Sequence, residues 1–120
     1  NFANEVRRIT GGAGADAVID FVTTSETSFS AFSAVRRGGR LVLVGLSGDY
    51  SKFILPLVAM RGVTIAGSYV GSLEDLMELK ELLGRGVLRT VTATMALKKV
   101  NEAISMIREK KAVGRIILKP

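Results

Sequence analysis

Arg40-Leu41-Val42-Leu43-Val44-Gly45-Leu46 decides the fold. After its arginine the stretch is apolar at nearly every position. It lacks the alternation of a strand with one wet face. Runs of this kind belong to strands covered on both faces, as in parallel sheets between helices. The same character recurs on either side, in Ala17-Val18-Ile19-Asp20-Phe21-Val22 and in Val63-Thr64-Ile65-Ala66-Gly67-Ser68-Tyr69-Val70. Between the first two runs, Thr24 or Ser25 can cap a helix and Glu26 suits its first turn. Phe29, Phe32 and Val35 share a face of that helix, and Gly38-Gly39 ends it. Between the second and third runs, Pro56 suits the first turn of a short helix from Leu57 to Met60.

Outward from this centre, residues 2–9 read as the end of an amphipathic helix, stopped by Gly11-Gly12-Ala13-Gly14. Past the third run, Ser72 caps a helix with Glu74 and Asp75 in its first turn. Leu73, Leu76, Met77 and Leu83 share its face, and Gly84 and Gly86 close it. Residues 87–94 look extended, and Leu97, Val100, Ile104 and Ile107 stripe a last helix. Ile116-Ile117-Leu118 forms a terminal strand before Pro120. Strand, helix, strand, helix, strand, helix predicts a parallel α/β sheet with right-handed crossovers, followed by a strand-helix-strand tail.

The 120 residues carry 17 Lys plus Arg against 11 Asp plus Glu, a net charge of +6, and no His, Cys or Trp. Without cysteine there is no disulfide framework, thiolate metal site or thiol nucleophile. Without histidine there is no Ser-His-Asp triad and no imidazole acid or base. What remains is carboxylate, Lys, Tyr or Ser chemistry, or the work of a bound cofactor. The basic residues fall in doublets (Arg7-Arg8, Arg36-Arg37, Lys98-Lys99, Lys110-Lys111) and aromatics are few, so nucleic-acid binding is not expected. No run is long enough for a membrane span and no signal peptide is visible, so a cytoplasmic location is expected. Phe2, Val6 and Ile9 take up helical spacing directly after Asn1, which reads as the middle of a longer protein.

Ligands of open parallel sheets bind beyond the carboxyl ends of the strands. Here these ends are Phe21-Val22-Thr23, Val44-Gly45-Leu46 and Gly67-Ser68-Tyr69-Val70-Gly71. Gly12-Ala13-Gly14-Ala15-Asp16-Ala17 spells a dinucleotide fingerprint, but it follows a helix and opens a strand, the reverse of what pyrophosphate binding needs. Asp20, inside an apolar strand, reads as a structural carboxylate bonded to a neighbouring loop. Tyr69 reads as a packed aromatic. Arg115, after Gly114, is either a surface residue or a phosphate grip.

Taken together, Gly14–Val22, Gly38–Leu46, Gly67–Ser72 with Asp75-Leu76, Val100–Ile104 and Gly114–Leu118 resemble the carboxyl-terminal third of zinc-dependent medium-chain alcohol dehydrogenases. The resemblance implies a partial Rossmann-type parallel sheet, the second βαβ half. Residues 1–86 would be the second half of the dinucleotide-binding domain. Residues 87–120 would be the tail that returns to the catalytic lobe. It further implies an NAD or NADP cofactor, a small alcohol or aldehyde substrate, and zinc held by parts of the enzyme other than this chain. No catalytic or metal-ligating residue is assigned here, and the segment alone is expected to be inactive. Phe21 and Val22 would line the adenine side, and the main chain of Val44, Ser68 and Val70 would bond the nicotinamide carboxamide. Gly45 and Leu46 would lie along that ring, and Arg115 would meet the pyrophosphate. Thr23 stands where the family often has glycine. The resemblance also implies a homo-oligomer joined through the strand at 63–70, which has no Lys or Pro to blunt its edge. The alternatives are a zinc-free quinone or enoyl reductase of the same superfamily and a non-enzymatic, self-associating α/β module.

Overall fold

Leu41 has no exposed surface, and around it the first sheet is built. The computed structural model describes residues 1–48 and 50–120. Helix α1 (Phe2–Ile9) leads into strand β1 (Ala15–Asp20), helix α2 (Ser25–Ala34), strand β2 (Val35–Leu43), helix α3 (Leu55–Arg61) and strand β3 (Thr64–Gly67). Then come helix α4 (Leu73–Gly84), strand β4 (Thr92–Ala96), a 3-10 turn (Leu97–Lys99), helix α5 (Val100–Arg108) and strand β5 (Arg115–Lys119). The chain divides into two compact units, Asn1–Val70 and Gly71–Pro120.

In the first unit the strands lie in the order β1-β2-β3, all parallel, as the apolar runs predict. Val18 faces Leu41 and Asp20 faces Leu43 across one ladder, while Leu41 faces Ile65 and Leu43 faces Gly67 across the other. Ala31, Phe32, Val35, Leu41 and Val63 form the core, with Phe53, Leu57 and Ile65 packed against it. Each such fully buried large side chain contributes about 1.5–3 kcal/mol. The Phe32 and Phe53 rings meet at 5.5 Å between centroids, tilted by 56°. In the second unit β4 and β5 pair in parallel, Thr92 opposite Arg115 and Ala96 opposite Lys119.

Several expectations are corrected. Helix α2 ends at Ala34, before Gly38-Gly39. Val35, β-branched and buried, turns extended and pairs with Ala15. Gly39 belongs to the strand instead, and a Cβ there would meet the Asp16 carbonyl oxygen at 2.8 Å. What stops the helix comes from elsewhere. Arg61 donates to the Phe32 and Val35 carbonyls and lies over the Phe32 ring at 4.8 Å, while Arg7 donates to the Ser33 carbonyl at 2.7 Å. These guanidiniums satisfy carbonyls that a helix leaves open and complement its negative end. The buried face of α2 is Ser28, Ala31 and Phe32, with Phe29 turned outward. Ser28 can be buried because its hydroxyl donates to the Thr24 carbonyl at 2.7 Å. In α5 the buried residue is Ala103, and Ile104 and Ile107 remain exposed. Tyr69 is 73% exposed rather than packed.

The strands also stop two or three residues before the apolar runs do, at Asp20, Leu43 and Gly67. Past them the ladders give way to isolated bonds, such as those from Val44 N–H to the Asp20 carbonyl (2.9 Å) and from Ser68 N–H to the Leu43 carbonyl (2.9 Å).

Candidate functional site at the carboxyl ends of the parallel strands

The end of β1 is tied into a knot by Asp20. Its carboxylate accepts from Val22 N–H (3.0 Å), Thr23 N–H (2.9 Å) and the Thr27 hydroxyl (2.9 Å). Burial pushes this carboxyl up, and the bonds from Thr23, Val22 and Thr27 outweigh it, leaving it below its ordinary value. Asp20 is thus the structural carboxylate that its place in the strand predicts. The next element starts from the same knot. Thr24 accepts from Thr27 N–H at 3.1 Å and its own N–H donates to the Thr27 hydroxyl at 2.9 Å, a reciprocal capping box for α2.

The end of β2 lies directly on this knot. Val44 and Gly45 both donate to the Asp20 carbonyl, at 2.9 and 3.1 Å, and Ser47 N–H donates to the Val22 carbonyl at 3.1 Å. A Cβ on Gly45 would collide with the Val22 carbonyl group and come within 2.5 Å of the Phe21 carbonyl oxygen. A Cβ on Gly48 would come within 2.6 Å of the Thr23 carbonyl oxygen. Phe21, Val22, Val44, Gly45 and Leu46 are therefore brought together. Ser68 joins them through its bond to Leu43, and Val70 follows two residues on. Arg115 lies in the other unit, at the start of β5, where its N–H donates to the Val91 carbonyl at 2.9 Å.

Several main-chain groups at these ends carry no hydrogen bond among the described residues, those of Phe21, Leu46 and Tyr69 included. Among the described residues, the Val44 and Ser68 carbonyls and the Val70 N–H carry no hydrogen bond, whereas the Val44 and Ser68 N–H groups are already used. Two backbone conformations here are rare for β-branched residues, Thr23 at φ +55° and Val70 at φ +47°. A backbone of this kind is one that glycine adopts without cost. Thr23 gains one bond in exchange, from its hydroxyl to the Asp20 carbonyl at 3.1 Å.

A cleft of about 300 Å³ adjoins the Asp20–Thr27 knot, lined by Phe2, Val18, Ile19, Asp20, Thr27 and Ala31 among others. None of the strand-end residues predicted from sequence lines it, so they form an open ledge and not this pocket. Among the described residues no three His, Cys, Asp or Glu side chains gather to hold a metal ion. No helix of the described residues is long and apolar enough to cross a membrane. Gly12-Ala13-Gly14 joins α1 to β1, the order that rules out a pyrophosphate-binding turn. Gly14 serves packing, since a Cβ there would stand 2.7 Å from the Ala34 carbonyl oxygen.

The comparisons with known proteins agree with this architecture. The chain is 42% identical over 119 residues to an NAD-dependent alcohol dehydrogenase of Sulfurisphaera tokodaii, covering 98% of the chain and 34% of that protein. It is 37% identical over 118 residues to an NAD-dependent alcohol dehydrogenase of Saccharolobus solfataricus, covering 97% and 34%. The crystal structure of the alcohol dehydrogenase of Aeropyrum pernix superposes with a TM-score of 0.91 at 29% identity, over 98% of this chain and 34% of that one. The chain therefore spans about a third of the length of the curated relatives it matches. A family model described as zinc-binding dehydrogenase matches residues 1–85. With the parallel sheet, its glycine-packed strand ends and this match over most of its length, the chain belongs to the zinc-binding dehydrogenase family.

Proposed function

We propose that the chain is the cofactor-binding segment of an NAD(P)-dependent alcohol dehydrogenase that moves a hydride between a small alcohol and the nicotinamide. The observation that carries this reading is the convergence of the strand ends, with acceptors and a donor free among their main-chain groups. Two carbonyls, Val44 and Ser68, and one N–H, Val70, are unpaired among the described residues. A primary carboxamide offers two donor hydrogens and one acceptor oxygen. The carboxamide of a nicotinamide would use all three groups, with its ring along Gly45 and Leu46. Phe21 and Val22 would line the adenine side, and Arg115 would meet the pyrophosphate with charge-assisted bonds. Bound there, the cofactor would supply the hydride chemistry, and this chain would bind and orient it. Zinc would be held by parts of the enzyme other than this chain, which has no His or Cys to offer it.

Residues 1–86 would form the second half of the dinucleotide-binding domain and 87–120 the tail toward the catalytic lobe. The family match, which ends at residue 85, supports that division. Strand β3 has β2 on one side and no partner on the other among the described residues, which supports self-association through its edge. The relatives' names speak against a zinc-free quinone reductase and against a non-enzymatic module. Titration of NAD against the intact protein tests the reading, with Arg115→Ala beside it. The variant should bind about tenfold more weakly or worse, one lost charge-assisted bond being worth about 1.5–3 kcal/mol. No binding of NAD or NADP by the intact protein would refute the reading, and equal affinities would leave Arg115 a surface residue.

A further inference from the structure

We propose that Asp20 is a positioning residue for the cofactor, holding the loop after β1 and the end of β2 in one fixed arrangement; the inference rests on the function proposed above. The geometry carries it. Asp20 is buried, and every neighbour of it in β1 except Asp16 is apolar. An apolar residue would serve the ladder as well, since the ladder uses main chain alone. The acid is explained by what lies past the strand. Its carboxylate holds Val22 and Thr23 by their N–H groups, and its carbonyl takes Val44 N–H, Gly45 N–H and the Thr23 hydroxyl. One residue thus fixes the backbone of four others, three of which are proposed cofactor contacts. The loop needs such a tie. Thr23 sits at φ +55°, which a β-branched residue avoids when free. Thr27, the third partner of the carboxylate, links the arrangement to the first turn of α2.

The test uses the intact enzyme with Asp20→Ala, Asp20→Asn and Arg61→Lys. Arg61 grips the opposite end of α2 and makes no contact with the loop, so its variant reports loss of stability alone. Asp20→Ala should speed amide exchange of residues 21–23 without ligand and raise the Kd for NAD about tenfold or more. At saturating NAD its kcat should stay within about threefold of the parent, as expected when ground-state binding is what was lost. Asp20→Asn keeps an acceptor oxygen but loses the charge. Its Kd should rise about threefold, since charge-assisted bonds are roughly twice as strong as neutral ones. Arg61→Lys should lower Tm and leave both the Kd and the exchange of residues 21–23 unchanged. If Asp20→Ala does not fold, an unchanged Kd in Asp20→Asn overturns the inference. So does an unchanged Kd in Asp20→Ala, or an equal loss of affinity in Arg61→Lys. Failure of the parent enzyme to bind NAD refutes the proposed function, and with it this inference. Parent binding with unaffected Asp20 variants refutes the inference alone.

Discussion

Gly45→Ala adds one methyl group where two strand ends meet. Its Cβ would stand 2.5 Å from the Phe21 carbonyl oxygen and would also strike the Val22 carbonyl. Carbon–oxygen contacts settle at about 3.3 Å or more, so one strand end must move by about 1 Å. Nothing flexible can absorb this, because the obstructing atoms are all backbone. The shift pulls Gly45 N–H and Val44 N–H, now 3.1 and 2.9 Å from the Asp20 carbonyl, out of bonding range. Overpacking of this kind costs about 1–3 kcal/mol and each of the two bonds lost about 1 kcal/mol, so we expect about 3–5 kcal/mol less stability. Gly67 ends the neighbouring strand and gives the control. A Cβ there meets nothing within 4 Å, and its φ is not in the left-handed region. Gly67→Ala should therefore change stability by no more than about 1 kcal/mol, on the favourable side. Urea unfolding of the intact protein measures both. If Gly45→Ala costs less than about 0.5 kcal/mol, or Gly67→Ala costs as much as Gly45→Ala, the strand-end packing described above is wrong.

Lys110 sits at φ +56° just past α5, where Lys110 N–H bonds the Ile107 carbonyl (3.1 Å) and Lys111 N–H the Met106 carbonyl (2.9 Å). That is a Schellman cap with lysine where glycine is favoured, so Lys110→Gly should gain about 1 kcal/mol in urea unfolding. The carboxyl of Asp20 is lowered on folding, so its contribution is present above the unfolded carboxylate pKa and is lost as the pH falls through the folded value. Asp75, bonded to Ser72 N–H at 2.7 Å, has the same sign. Tm should therefore fall on acidification below about pH 4, and less steeply in Asp20→Asn; a Tm that rises there contradicts the assignment. Ile65→Pro removes a main-chain donor from β3, whose outer edge is the proposed joint between copies, and should shift sedimentation toward monomer. A parent protein that is monomeric at high concentration would dismiss that joint.

The elements were legible where the cause is local. Leu41–Leu43 and Ile65–Gly67 read as parallel strands because their apolar runs show no alternation. Ser72 and Thr24 read as caps because their hydroxyls reach the next turn, and both make the box. What the sequence hid was long-range. Nothing near Ala34 announces that Arg7 and Arg61, 26 or more residues away, close the carbonyls of α2. The glycines that follow suggested a local stop instead, while Gly39 was needed for its approach to Asp16. Of the site, the strand ends were found by topology alone. The tie made by Asp20 was half visible, as a carboxylate in an apolar strand. Its partners depend on the left-handed turn at Thr23, which a threonine does not advertise.

The misplaced strand ends carry an argument of their own. The apolar runs continue past the ladders, and the residues beyond them are the ones left outside: Phe21 is 72% exposed, Leu46 77% and Val70 78%. Sheet pairing cannot account for these side chains, because the ladder has ended. The core cannot either, because they do not enter it. Single exposed apolar residues are ordinary, but apolar residues gathered at one end of a parallel sheet mark a surface that something covers. Their positions agree with where a ligand of such a sheet binds, beyond the carboxyl ends of its strands. Flat rings laid on Leu46 and against Phe21 and Val22 would cover apolar area while the open Val44, Ser68 and Val70 groups fix orientation. That division between apolar contact and a few placed polar groups is how cofactor sites obtain both affinity and direction.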